Sequence, residues 1–288
     1  MFSAPVLGQV LVNGISLGAI YILIALGFTL LFGIMRVVNF AHGAMAMLGG
    51  YALLYAYEVY HLPFWLAIVV APAGIAIVSL VLERFVFRHF YNRMFQSMIG
   101  LLGLETVLVF SAILIWDAHE RSIKPAFDGI IDLGNLILSV DRLAVAGIAA
   151  TALILFYAFM RYTRMGLALR AVSQDGEIAS VQGINATYVY IVAFLIATFL
   201  AALAGGLYSQ IYALSPFIGE RILMVAFVVV ILGGMGSIPG AALGGMLLGL
   251  AESFISTFYG ASISAFVSFG VVLLLLIVRP WGLMGQRE

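Results

Sequence analysis

The sequence predicts an all-α polytopic membrane protein with about eight to ten transmembrane helices, and three observations carry that reading. Of its 288 residues, 64% are hydrophobic and only 9% charged, against about 25% charged in a soluble domain. Apolar runs of about 20 residues recur, the length needed to cross roughly 30 Å of hydrocarbon. A backbone facing lipid must satisfy its own hydrogen bonds, so such runs are helices; a β-barrel would show alternating segments of about ten residues instead. The whole chain, residues 1–288, reads as one transmembrane domain. Zero formal net charge offers no basic surface for nucleic acid, and the lack of cysteine excludes disulfides and thiolate metal sites. The opening MFSAPVLGQV has no Lys or Arg, and the apolar run behind it is too long for a signal-peptide core, so no cleaved leader is expected.

Nine apolar segments follow in order: 7–34, 41–57, 63–82, 97–116, 143–160, 188–213, 222–237, 241–258 and 263–278. The seventh and eighth are short and divided by glycine, which is why the number of helices is a range. Lys and Arg in short loops set orientation. Arg36, Arg84, Arg88, Arg93, Arg161, Arg164, Arg170, Arg279 and Arg287 fall on alternate loops if all nine segments cross. Arg121, Lys124, Arg142 and Arg221 fall on the others. The larger set belongs in the cytoplasm, which puts the C-terminus inside and the N-terminus outside. The acidic loop at about 117–142 then lies outside, and Asp128–Gly129 and Leu133–Asn135 are turn signals for a small cap or hairpin.

The stretch at about 161–187 departs from the apolar pattern. It carries Arg161, Arg164, Arg170, Asp175 and Glu177, yet Leu167, Leu169, Ala171 and Val172 give it a helical apolar face. Ser173 or Asp175 is placed to cap a second turn through Ile178, Ala179 and Val181, and Gly183 ends it. If the segment stays helical, Ala171, Asp175, Ala179 and Gly183, four apart, share one face. Such a helix is either a surface for something outside the membrane to grip or a solvated linker.

Motifs for chemistry are missing. The one lysine, Lys124, is preceded by Ile123, so no phosphate-binding GxxxxGK[ST] loop exists; neither HExxH nor GxSxG occurs, and the four histidines are scattered. The chain is therefore expected to be no enzyme and to bind no cofactor or metal. Two stretches echo each other instead: FGIMRVVNFAHGAMAMLGG at 32–50 and LGGMGSIPGAALGG at 232–245 interrupt apolar sequence with Gly and polar residues. Interrupted segments in corresponding positions of two halves point to a transport site. The candidates for a substrate path are Asn39 and His42, three apart on one helical face, with Gly43, and then Gly233, Gly234, Gly236 and Ser237. The alternatives are interfacial loops with satisfied side chains, and glycines that serve close packing alone. Of two carboxylates within apolar segments, Glu105 is read as lying near an interface or at a subunit contact, whereas Glu252 is open between that and a functional buried charge.

These stretches together resemble the branched-chain amino acid ABC transporter permeases, and the H-type subunit most closely. The marks are NGISLGAIYILIALGFTLLFGIMRVVNFAHGAMAMLGGY at 13–51, TRMGLALRAVSQDGEIASVQGIN at 163–185, GGMGSIPGAALGG at 233–245 and VRPWGLMGQRE at 278–288. The resemblance runs nearly end to end and implies an ABC importer permease bundle in a bacterial inner membrane. It implies a second, related permease, two separate ATPase subunits that hold ATP and Mg, and a periplasmic substrate-binding protein. It also implies that the 161–187 loop couples to an ATPase, with Arg164, Arg170, Ala171, Asp175, Ala179 and Gly183 as candidate contact residues. Glu105 departs from the family pattern, which has a small polar residue at its place; the departure marks a different substrate or a local contact. Urea, short amides or aromatic acids are alternative substrates, and a self-sufficient secondary transporter or channel is the rival from another class.

Overall fold

A computed structural model describes residues 4–127, 129–132, 137–279 and 281–285. The described chain is helical apart from one hairpin. Its elements are α1 (Ala4–Met35), α2 (His42–Leu54, prolonged by a π turn at Tyr55–Val59), α3 (Phe64–Phe85), a 3₁₀ turn at Phe87–Phe90 and α4 (Met94–Trp116). Then come β1 (Ile130–Asp132), β2 (Ile137–Ser139), α5 (Val140–Tyr162), α6 (Arg164–Gln174), α7 (Gly176–Val181), α8 (Ala186–Ile211), α9 (Ile218–Gly233), α10 (Ile238–Tyr259) and α11 (Ala261–Val278). Each of the nine apolar segments falls on a helix. Among the described residues, six helices are long and apolar enough to cross a membrane: α1, α3, α4, α5, α8 and α10.

α1 is the axis. The span it offers the membrane is 89% buried within the chain, enclosed by α5, α8, α9 and α10. In lipid the hydrophobic effect does not press helices together; close backbone approach and packing do. The α1–α10 seam is built accordingly, with Gly14 and Gly18 facing Gly245 and Gly249. A Cβ added at Gly245 would stand 2.7 Å from the Ile22 side chain and 2.9 Å from its backbone nitrogen. The α2–α8 seam repeats the device: Gly49 lies on Ala202 and Gly205 on Ala46, both too close for a Cβ. Glycine inside a helix costs about 1 kcal/mol in water; here the same residues are what let the backbones touch.

The two ends of the bundle differ. At one end the Asn92 N–H donates to the Met35 carbonyl (3.1 Å), Gly33 faces Gly236, and the Leu283 and Met284 N–H groups donate to the Leu232 and Gly233 carbonyls, both at 2.9 Å. This Arg36 end also holds the turn joining α3 to α4, together with α6 and α7. At the other end Arg142 donates to the Asn13 side-chain oxygen (2.6 Å), and Arg121 and Leu214 exchange backbone hydrogen bonds of 2.8 and 2.7 Å. The arginines therefore separate toward two ends, except that Arg221, expected in an outer loop, lies in the first turn of α9 and pairs with Glu252 within the bundle; Arg287 lies outside the described residues. β1 and β2 pair antiparallel, with Ile130 opposite Ser139, which makes the expected hairpin; Asp128 and the Leu133–Asn135 turn lie outside the described residues.

Candidate functional site

The chain between α1 and α2 turns back into the bundle. Arg36 takes a left-handed conformation (φ 52°) that reverses the direction after Met35, and Val37, Val38, Asn39 and Ala41 are then buried. α2 begins beside Ile24, about 16 Å along α1 from its end at 1.5 Å per residue. The His42 Nε2–H faces the Ile24 carbonyl at 3.0 Å, so it must be the donor, and Phe28 meets the ring edge-on at 5.7 Å. Gly43 lies directly on Gly219, in the first turn of α9. Two short helices thus open inside the bundle with their N-termini in contact, and neither first turn has a side-chain cap. Asn39 is fully buried with its Nδ2 only 3.9 Å from the Met45 sulfur; its Oδ1 and the His42 Nδ1 have no hydrogen-bond partner. Helix N-termini carry partial positive charge, and interrupted helices in transporters offer such ends to anionic groups. That is the chemistry this junction can supply.

Around this junction stand charges that the sequence left scattered. The Tyr21 hydroxyl donates to Glu252 at 2.7 Å, and Arg221 donates to the other carboxylate oxygen at 3.3 Å. The Arg221 guanidinium lies 4.9 Å over the Tyr212 ring, which stacks on Tyr208 at 4.5 Å. Side chains from α1, α9 and α10 and from the end of α8 are joined at this point, so Glu252 is a paired charge. Reading along the chain missed Arg221 and the tyrosines, because partners 31 and 231 residues apart leave no local signal. Glu105, halfway along α4, is only partly buried. α4 is the least buried of the long apolar helices, 17% against 89% for α1.

The glycine-rich stretch lies elsewhere. Gly233 ends α9; Gly234 (φ 103°) and Gly236 (φ 81°) make the turn; the Ser237 hydroxyl accepts from the Gly240 N–H at 3.1 Å and opens α10. Gly234 packs on Gly285 and Trp281, and Gly236 sits near Gly33. The structure brings these residues to the end of α1, beneath the chain's own final segment, while Asn39, His42 and Gly43 sit beside Ile24. The two echoing stretches are thus a re-entrant segment and a tight turn, not equivalent broken helices.

The polar stretch forms two helices. The Thr163 hydroxyl accepts from Gly166 and opens α6, and Arg170 donates to the Met160 carbonyl at the end of α5. Asp175 caps α7, its Oδ1 accepting from the Glu177 and Ile178 N–H groups, both at 2.9 Å. To cap, Asp175 leaves the helical conformation (φ −155°, ψ 109°), so Ala171, Asp175, Ala179 and Gly183 do not share one continuous face. Ala179 is 4% exposed and packs into its own chain. Outward face Arg164, Leu167 (61% exposed), Ile178 (62%) and Val181 (85%). Among the described residues no group of three His, Cys, Asp or Glu is placed to hold a metal ion.

Residues 10–278 match the family of branched-chain amino acid transport system permease components. The chain is 34% identical over 295 residues to the high-affinity branched-chain amino acid transport system permease protein LivH of Escherichia coli K12, covering 97% of this chain and 96% of that one. It is 33% identical over 297 residues to BraD of Pseudomonas aeruginosa, whose name gives the same transport role, with the same coverage of 97% and 96%. A probable branched-chain amino acid transport permease, LivH, of Methanocaldococcus jannaschii is 28% identical over 294 residues, 96% of this chain and 92% of that one.

Proposed function

Because the chain belongs to the branched-chain amino acid transport permease family, we propose that it is the membrane-spanning subunit of an ATP-driven importer of branched-chain amino acids. It works beside a second, related permease and two ATPase subunits that hold ATP and Mg, and a binding protein delivers substrate. The Arg36 end is cytoplasmic and the hairpin end faces outward, as the arginine distribution favours. The observation that carries the reading is the pair of helices α6 and α7. They are polar, tied to α5 by Arg170, gathered at the arginine-rich end, and expose Leu167, Ile178 and Val181. Exposed apolar groups on a charged surface outside the bundle suit a protein partner.

The path for substrate runs along the face of α4 and α9. A carboxylate halfway along a membrane-crossing helix is expensive against lipid. Glu105 and Glu220 therefore face the second permease and the space enclosed with it, where they meet the ammonium group of the substrate. The N-termini of α2 and α9 lie behind that face, in position to receive the carboxylate when the permease rocks. This account supports an amino acid over urea or a short amide, which carry neither charge.

The test of coupling is the double substitution Ile178→Asp with Val181→Asp. Both side chains point away from the chain, so insertion and melting should be unchanged. The ATPase subunits should no longer co-purify, and uptake should be lost. An intact, fully coupled importer carrying both substitutions would remove α7 from the contact. Ala179→Trp is the poorer probe, since it would clash within the chain itself.

A further inference from the structure

A cavity of about 710 Å³ opens at the Arg36 end, between the end of α1, the turn joining α3 to α4, and α6 with α7. Its size falls among small-molecule sites, which run from about 300 to 1,000 Å³. Arg36 lines it, and so do Asp175 and Glu177, with Asn92 and Tyr190 between. Among the described residues Arg36 makes no ion pair within 4 Å, although two carboxylates share its cavity. Asp175 spends one oxygen on capping α7.

The wall opposite α7 is firmly built. Arg36 and Asn92 both hold left-handed conformations, φ 52° and 58°, a region that an arginine seldom enters. Asn92 is fastened to Met35 by its N–H. Tyr91, beside it, donates its hydroxyl to Glu83 and sets its ring edge-on to Tyr190 at 4.8 Å. Burial first, then the bond to Glu83, push the Tyr91 phenol up, so it stays a donor. The backbone that carries Arg36 is thus held in place, while its guanidinium stays exposed to meet a ligand.

We propose that this cavity binds the zwitterionic head of a free amino acid from the cytosol, carboxylate on Arg36 and ammonium at Asp175 and Glu177, and that occupancy slows the importer. The proposal rests on the amino acid importer reading above. A simple anion would satisfy Arg36 but meet two carboxylates; a simple cation would meet the guanidinium. Only a ligand carrying both charges satisfies both walls. One wall belongs to α1 and the α3–α4 turn, the other to the helices assigned to the ATPase contact. A ligand shifts an equilibrium only by binding one state better than the other. One that bridges a fixed wall and a moving wall does so, favouring the arrangement in which the walls stand as they do here. The imported amino acid would in this way restrain its own uptake.

The experiment uses the complete importer in proteoliposomes, ATPase subunits facing the bath, with leucine and its binding protein enclosed. ATP hydrolysis is read as leucine is added to the bath. The wild type should slow several-fold. Arg36→Gln should hydrolyse normally without bath leucine, and Glu177→Gln is read against its own rate without leucine; each should need roughly tenfold more leucine, or above, to slow, since each loses a charge-assisted hydrogen bond. The keto acid matching leucine, which lacks the ammonium, and isoamylamine, which lacks the carboxylate, should have no effect at the same concentration. No slowing of the wild type, equal slowing in both variants, or a keto acid as effective as leucine would each overturn the proposal. A complex whose hydrolysis fails to respond to the enclosed, leucine-loaded binding protein would overturn the importer reading on which it rests.

Discussion

Arg221→Met should destabilise the bundle, and a second substitution should largely reverse the loss. The pair lies where α9 meets α10 and α1; the Glu252 side chain is 15% exposed and that of Arg221 53%. Removing one partner of a fully buried pair costs about 3–5 kcal/mol, mostly because the other charge is left unpaired. About half of the Arg221 side chain is uncovered in the isolated chain, so the cost here should be about 1–3 kcal/mol. Tyr21 remains on Glu252 and softens it. Glu252→Gln should cost less, about 1 kcal/mol, because the arginine left behind is partly solvated and the amide still accepts from Tyr21. With both changes no lone charge remains, and the double variant should lie within about 1 kcal/mol of wild type. The assay is thermal unfolding of the detergent-purified chain across this double-mutant cycle, where 1 kcal/mol moves the midpoint by about 2–4 °C. Losses that add to within about 0.5 kcal/mol would show that the two side chains do not act as a pair.

Four further outcomes are expected. Gly205→Leu should prevent accumulation of the folded chain, because Gly205 touches the backbone of Ala46; normal expression would mean that the α2–α8 seam can open. Gly236→Val should insert normally yet abolish uptake, since valine at φ 81° distorts the α9–α10 turn, and near-normal uptake would make that turn tolerant. Glu105→Gln should raise the KM for leucine uptake roughly tenfold while leaving the complex assembled; an unchanged KM would take Glu105 off the path. A cysteine in place of the exposed Glu120 should react with an impermeant maleimide from outside only, and reaction from the cytoplasm alone would invert the orientation.

What the sequence disclosed and what it hid have one cause, the range over which the relevant interactions act. Helices in lipid are written locally: a run of apolar residues long enough to cross is enough, so all nine segments became helices. The Asp175 cap was legible for the same reason, its partners being two and three residues away. The break it makes was not, because a cap and a helix-interior residue on a fourfold spacing look alike until the backbone angles are known. The re-entrant path of Val37–Ala41 was hidden too: its apolar composition suits a loop or a span, and only the Ile24 carbonyl shows that His42 lies deep. At Gly233–Ser237 the glycines announced a break but not its depth, which depends on Leu283 and Met284 about fifty residues later. Of the proposed path, Asn39, His42 and Gly43 were visible as polar interruptions. Glu220 was not, since a carboxylate in a helix's first turn looks like an ordinary partner of the helix dipole.

As a subunit of an ATP-driven importer this chain should transport only within the full assembly. Leucine uptake is to be measured in proteoliposomes holding this chain alone, and then this chain with the second permease, both ATPase subunits and the loaded binding protein. No flux should occur with the chain alone, and uptake should appear only in the full set, with ATP and Mg supplied on the ATPase side. Leucine flux through the chain alone, driven by an ion gradient or running downhill without ATP, would contradict the account.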